Sequence, residues 1–219
     1  MSRALNYEIP GIDWRLRPEH VRDGLAELFR SGNAPRQLTV EIGFGRGEFL
    51  IEQARNAPDT AFLGIEMSHK RCLKLARRLA RTELTNVRLI EMRAEHAVSE
   101  LLPWSAVSRF WINYPDPWPK KRHLGRRLIQ PEFVRDLALR LAPGAAVAIA
   151  TDHTDYASTI DACLAQEPML ENAYAPEPFL REVSGRMPTS YEIEWRALGR
   201  ELHYFKYRRR RVDTVEVRP

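Results

Sequence analysis

The stretch NYPDPWPKKRH, Asn113 to His123, sets one carboxylate, Asp116, between two prolines and follows it with an aromatic ring and a run of cations. A carboxylate aimed by rigid neighbours can hold N–H groups or offset a growing positive charge, and cations beyond it can follow phosphates. Pro115, Pro117 and Pro119 remove backbone donors and steer the residues before them away from helical angles, so the stretch is expected to be an extended loop, neither helix nor ladder strand. Phe110, Trp111 and Ile112 read as a buried strand just before it. Asp116 is thereby delivered beyond a strand's end, where open α/β sheets bind ligands.

A second constellation, VEIGFGRGEFL from Val40 to Leu50, leaves a strand and enters a helix with Gly43, Gly45 and Gly47 at alternate positions. Glycines at such a junction let the backbone turn tightly and approach a ligand, and the helix start offers free N–H groups. Glu66 closes the next strand nineteen positions after Gly47, where a carboxylate can accept both hydroxyls of a ribose. Glu41 lies on the first strand, two residues before Gly43. A pyrophosphate sits poorly beside that acid, whereas S-adenosylmethionine brings an ammonium and a sulfonium that a carboxylate favours. A nicotinamide cofactor is therefore the weaker reading. Arg93, after the third strand, is placed for an adenine contact, with Glu95 as the nearby acid.

The elements that must carry these loops alternate. Strands are expected at 38–42, 61–66, 87–92, 109–113 and 146–151, with helices after Gly47 and at 68–81, 95–102, 131–141 and 156–165. That order predicts a doubly wound, Rossmann-like α/β sheet, mostly parallel. A last aromatic strand at 201–207 has no helix close before it, so it should run antiparallel. Residues 1–36 read as an N-terminal extension with one short amphipathic helix from Glu19 to Phe29, 37–211 as the single domain, and 212–219 as a tail.

The chain has 219 residues with 34 basic and 29 acidic, a net charge of +5, which matters less than its clustering. Lys120, Lys121, Arg122, Arg126 and Arg127 follow the proline loop; Lys206 and Arg208 to Arg211 crowd the C-terminal end. A third set, Lys70, Lys74, Arg77, Arg78 and Arg81, lies at helical spacing opposite Cys72, Leu75, Ala76 and Leu79. Three clusters point to a polyanion, and nucleic acid is the expected partner. No apolar run is long enough for a membrane span, and Cys72 and Cys163 stand far apart, so a cytoplasmic protein without disulfides is expected. The six histidines show no ligand spacing, and no metal is expected.

With both loops in view the sequence resembles the class I S-adenosylmethionine-dependent methyltransferases, and more narrowly the bacterial tRNA (guanine-N7-)-methyltransferases, which modify a guanine in the tRNA variable loop. The resemblance rests on E-x-G-x-G-x-G at Glu41 to Gly47, Glu66, PDPWPKKRH at Pro115 to His123, ATD at Ala150 to Asp152 and TSYE at Thr189 to Glu192. It implies that Glu41, Gly43, Gly45, Gly47, Glu66, Arg93 and Asp116 hold the cofactor and that Asp116 is also catalytic. It further implies that Lys120, Asp152, Thr189, Ser190, Tyr191 and Glu192 contact the guanine nucleotide or its flanks. Lys121, Arg122, Arg126 and Arg127 would then follow the phosphates, and a monomer is favoured. An acid or amide is usual in that family where Arg93 stands, so either Arg93 through its backbone or Glu95 takes the cofactor contact. Methylation of an exocyclic amine and a non-catalytic RNA-binding role are the competing readings.

Overall fold

The computed structural model describes residues 15–16 and 37–211. Strands β1 (Arg15–Leu16), β2 (Gln37–Ile42), β3 (Thr60–Glu66), β4 (Val87–Glu91), β5 (Val107–Asn113), β6 (Leu141–Thr151), β7 (Leu170–Asn172) and β8 (His203–Arg209) form one sheet. Its order is β1-β4-β3-β2-β5-β6-β8-β7. Every pairing from β1 to β6 is parallel, and β8 runs antiparallel between β6 and β7. Helices α1 (Glu48–Asn56), α2 (His69–Leu79), α3 (Ala94–His96), α4 (Pro131–Arg140), α5 (Thr154–Gln166) and α6 (Ser190–Ala197) connect or flank the strands.

The central strands are apolar on both faces because helices cover both. In β3 every residue after Thr60 is buried. One face of β2, β5, β6 and β8 packs Val40, Phe110, Val147 and Phe205 against Val134, Leu137, Tyr156 and Ile160 of α4 and α5. The other face of β3 and β4 packs Phe62 and Leu89 against Leu50, Ile51, Cys72 and Leu75 of α1 and α2. Gly64 is what lets α1 come so close: a Cβ there would lie 2.6 Å from Leu50 and 2.7 Å from Phe44. The cations of the third cluster that α2 carries face outward or sit partly covered, and Cys72 is fully buried with its thiol toward the Glu66 carbonyl, 3.4 Å away.

The strand order reverses between β2 and β5, so the crevice beyond their carboxyl ends is the topological switch point of the sheet. The glycine loop leaves β2 there and the proline loop leaves β5.

Several boundaries differ from expectation. β6 starts at Leu141, directly after α4, and runs through Pro143 and Gly144, with a register shift on β5 between Val107 and Arg109. Pro143 is exposed at the strand's start, where its missing donor costs little. The helix expected at 95–102 is α3 followed by a π-helical turn, Ala97–Leu101. β7 and α6 were not foreseen, since the sequence after Pro168 shows no clear period. The stretch expected to be extended throughout turns into a 3-10 helix at Lys121–Arg126, while Asn113 ends β5 as expected. Arg15–Leu16 adds an edge strand beside β4, and the helix expected at Glu19 to Phe29 lies outside the described residues, as does the tail at 212–219.

Candidate active site

The glycine loop owes its shape to positive φ at Gly43, Gly45 and Gly47, 73°, 55° and 73°. At Gly47 a side chain is doubly excluded, because a Cβ would also fall 2.4 Å from the buried Leu75. Glu66, 5% exposed, pins the loop by accepting from Gly45 N–H (3.2 Å) and from Ser68 N–H (3.0 Å). Arg71 approaches the same carboxylate at 3.4 Å. Glu66 also lines the cleft, where hydroxyl groups of a ligand can add to this set.

Glu41 is buried and aimed at the same cleft from β2. Its Oε1 accepts from Asn113 Nδ2 at 3.3 Å, while Oε2 has no partner among the described residues. Burial pushes the carboxyl up to about 8, with the Asn113 hydrogen bond and the Arg186 charge pulling the other way. A buried oxygen without a partner fits a cationic ligand.

The cleft has two recesses. One, about 530 Å³, is bordered by Glu41, the glycine loop, Asp152, Thr189, Ser190 and Tyr191. The other, about 920 Å³, is bordered by Glu66, Arg93, Glu95, Trp118 and Arg126. Asn113 to Asp116 form the wall common to both. Asp116 is exposed, and the backbone around it is strained: Tyr114 and Trp118 take φ of 53° and 40° without being glycine. Tyr114 N–H bonds the Ala150 carbonyl at 2.8 Å, which ties the loop to β6.

Residues 35–205 match a family model described as "Putative methyltransferase". A tRNA (guanine-N(7)-)-methyltransferase of Aromatoleum aromaticum is 40% identical over 214 residues, 95% of this chain and 78% of the relative. Its counterpart from Syntrophotalea carbinolica is 36% identical over 180 residues, 82% of this chain and 77% of the relative. The chain belongs to the tRNA (guanine-N(7)-)-methyltransferase family. Among solved structures, the 16S rRNA methyltransferase KamB superposes with a TM-score of 0.61 at 18% identity, covering 88% of this chain and 92% of that one, a likeness of fold.

In this methyltransferase the remaining sequence-predicted residues divide by burial. Arg93 and Glu95 both border the second recess and pair with each other at 2.8 Å. Asp152 accepts from Arg200 at 3.0 Å, and Ser190 donates to Glu48 across the mouth of the first recess. Thr189 caps α6, its Oγ1 accepting from Glu192 N–H at 3.0 Å. Tyr191 packs between Tyr114, tilted at 48°, and Trp195, edge-on at 79°, with ring centroids 4.8 and 5.0 Å away. Lys120, Lys121, Arg122 and Arg126 are exposed on and beside the 3-10 helix, with Arg126 over the Trp118 ring at 5.1 Å.

Two of the expected contact residues are buried and engaged by protein groups. Glu192 is 1% exposed and faces inward, taken up by Arg186, by Arg196 (3.2 Å) and by the Tyr204 hydroxyl (2.6 Å). The fourth position of TSYE falls on the inner side of a helix that the sequence did not reveal. Arg127 is 4% exposed and grips the proline loop from within. It donates to the Pro117 carbonyl (2.9 Å) and Thr159 Oγ1 (2.8 Å) and pairs with Asp155 (2.5 Å), whose carboxyl it holds below the usual range. Arg127→Ala is expected to lower stability by about 2 kcal/mol and slow turnover, while the salt dependence of RNA binding stays unchanged. Urea denaturation and a binding titration check this; a reduced salt slope would restore Arg127 to the phosphate contacts.

Sequence reasoning missed Asn113, Arg186 and Arg200 as site residues. Asn113 falls at the expected strand end, and nothing in the sequence shows that its amide reaches Glu41 and Arg186. Arg186 lies in a segment without periodicity, and nothing local marks it.

Among the described residues no group of three His, Cys, Asp or Glu is arranged to hold a metal, and no helix is long and apolar enough to cross a membrane.

Proposed function

We propose that this chain transfers the methyl group of S-adenosylmethionine to N7 of a guanine in the variable loop of tRNA. The observation that carries the reading is the common wall: Asp116 borders both the recess of Glu66 and the recess of Asp152, Thr189 and Tyr191. S-adenosylmethionine supplies an electrophilic methyl carbon on a sulfonium. Glu66 suits its ribose and Glu41 its ammonium, and the orphaned Glu41 oxygen supports that fit. Guanine N7 carries a free lone pair, so the site needs alignment and exclusion of water more than a base. Asp116 can accept from the N–H edge of the guanine and offset the positive charge that reaches the ring as N7 is alkylated. Asp152 and Tyr191 face the base from the other side, and Lys120, Lys121, Arg122 and Arg126 follow the phosphates.

The deciding experiment incubates unmodified tRNA with labelled S-adenosylmethionine, digests the RNA and locates the methyl group by mass spectrometry. 7-Methylguanosine in a variable-loop fragment is expected. A methyl on an exocyclic amine, or cofactor binding without transfer to any tRNA, would replace this reading with one of its competitors.

Glu41 also makes a pH prediction. With its carboxyl raised to about 8, it is mostly protonated at neutral pH in the free protein, and a bound ammonium favours the carboxylate. Cofactor binding should therefore release a proton, and affinity should rise from pH 6 toward 8, up to where the ligand's own ammonium begins to lose its proton. Calorimetry in buffers of different ionisation heat reads this directly. Glu41→Gln should flatten the profile; an unchanged profile would remove Glu41 from the linkage.

A further inference from the structure

The C-terminal cations take no part in the site described above, and the sheet places them at its opposite end. Arg109 on β5 and Arg208 on β8 both pair with Ala146 of β6, and Lys206 pairs with Ala148 in the next row of the same face. Directly paired residues share a face, so small alanines floor a trough whose two sides carry the cations. Two strand spacings, about 10 Å, separate the backbones of Arg109 and Arg208. Arg211 closes one end near Gly144, and the crevice measures about 620 Å³.

Two arginines of the cluster are occupied. Arg209 turns away to Ser105 Oγ at 2.7 Å, and Arg210 pairs with Glu171 at 3.6 Å. None of Arg109, Lys206, Arg208 or Arg211 makes an ion pair with a carboxylate among the described residues; Glu171, which also lines the crevice and lies opposite Arg208 on β7, is engaged by Arg210, and Arg109 lies over the Trp111 ring at 5.4 Å. Burial and then the charges of Arg109 and Arg208 depress the Lys206 ammonium below its ordinary value. The like charges are thus close enough to oppose one another, and an anion in the trough would relieve them. A crevice with an excess of positive charge focuses the field and concentrates anions.

We propose that this trough is a second RNA contact, holding phosphates of a tRNA arm away from the target base; the proposal rests on the tRNA reading given above. The trough begins four residues before Asn113 on β5, roughly 13 Å below the end of the strand that leads to Asp116. A nucleotide in the catalytic cleft cannot reach it, so only an extended substrate connects the two. The trough would then favour folded tRNA over a fragment.

The test uses the full chain with Arg109→Ala, Arg208→Ala and Arg211→Ala combined, beside the same three positions changed to lysine. Binding of unmodified tRNA is measured across 50–200 mM salt, and methyl transfer is measured on full tRNA and on a hairpin holding only the target loop and its stem. In the alanine variant the slope of log affinity against log salt should shrink by about 2 to 3, and KM for full tRNA should rise about tenfold. Transfer to the hairpin and cofactor affinity should match the unmodified chain. The lysine variant should keep the salt slope, which excludes a folding defect. Unchanged slope and KM in the alanine variant, or equal loss on tRNA and hairpin, overturns the proposal. Absence of transfer by the unmodified chain defeats the activity reading instead, while the salt slope still tests the trough.

Discussion

Replacing Asp116 with alanine is expected to cut methyl transfer to tRNA by about 100-fold or more while cofactor binding survives in part. The size follows from its surroundings. Its carboxylate has no hydrogen-bond partner among the described residues, so its removal disturbs no internal bond and the loss falls on the ligand side. Its placement is fixed by what flanks it: positive φ at Tyr114 and Trp118, the Tyr114 bond to β6 and the Arg127 bond to the Pro117 carbonyl. A fold that maintains two strained residues around one exposed carboxylate holds that carboxylate in a particular direction. Asp116→Asn separates its two tasks. The amide oxygen still accepts from a base edge, but the charge that balances an alkylated ring is gone, so an intermediate rate is expected. Single-turnover transfer with saturating cofactor measures both variants. A rate near that of the unmodified chain in Asp116→Ala would remove Asp116 from the chemistry.

The sheet was legible because its strands advertise themselves. Val40, Ile42, Phe62, Leu63 and Ile65 are buried on a two-sided sheet and leave continuous apolar runs, and the glycines between them mark the turns. The switch point followed, since both chemistry-bearing loops trail strands that the pattern located. What stayed hidden depends on contacts distant in sequence. Nothing near Arg127 distinguishes it from Arg126, yet one is 4% exposed and the other lies open. The difference comes from α5, which brings Asp155 and Thr159 to Arg127. The inward turn of Glu192 likewise depends on α6, a helix of eight residues whose only strong local signal is the Thr189 cap. Its exposed Ile193 and buried Glu192 invert the pattern that would have revealed it. A buried acid in place of an apolar residue is tolerated there because Arg186, Arg196 and Tyr204 meet it.

That arrangement makes Arg186 the side chain whose loss should cost most in stability. Its side chain is 6% exposed; it pairs with Glu192, donates to Asn113 Oδ1 at 2.7 Å and lies over the Tyr204 ring at 4.9 Å. Asn113 in turn donates to Glu41, so one guanidinium supports both the buried acid proposed to meet the cofactor and the helix proposed to flank the substrate. Arg186→Met keeps much of the packing volume but leaves Glu192 with only Arg196, itself half in solvent, and the Tyr204 hydroxyl. Breaking one side of a buried pair costs about 3–5 kcal/mol, read here as a shift in the urea midpoint. Cofactor affinity should fall as well, because Glu41 loses the charge that lowers its proton affinity and Asn113 loses the bond that orients it. Combining Arg186→Met with Glu192→Gln removes both buried charges and should recover a large part of the stability without recovering the cofactor affinity. That split separates the two functions of the arginine. The Glu192 partnership is a matter of stability, whereas the link through Asn113 reaches Glu41, the acid proposed for the cofactor ammonium, and survives no substitution that lacks a donor. If the double variant regains neither, or if the single variant unfolds within 1 kcal/mol of the unmodified chain, Arg186 does not hold the two sides together.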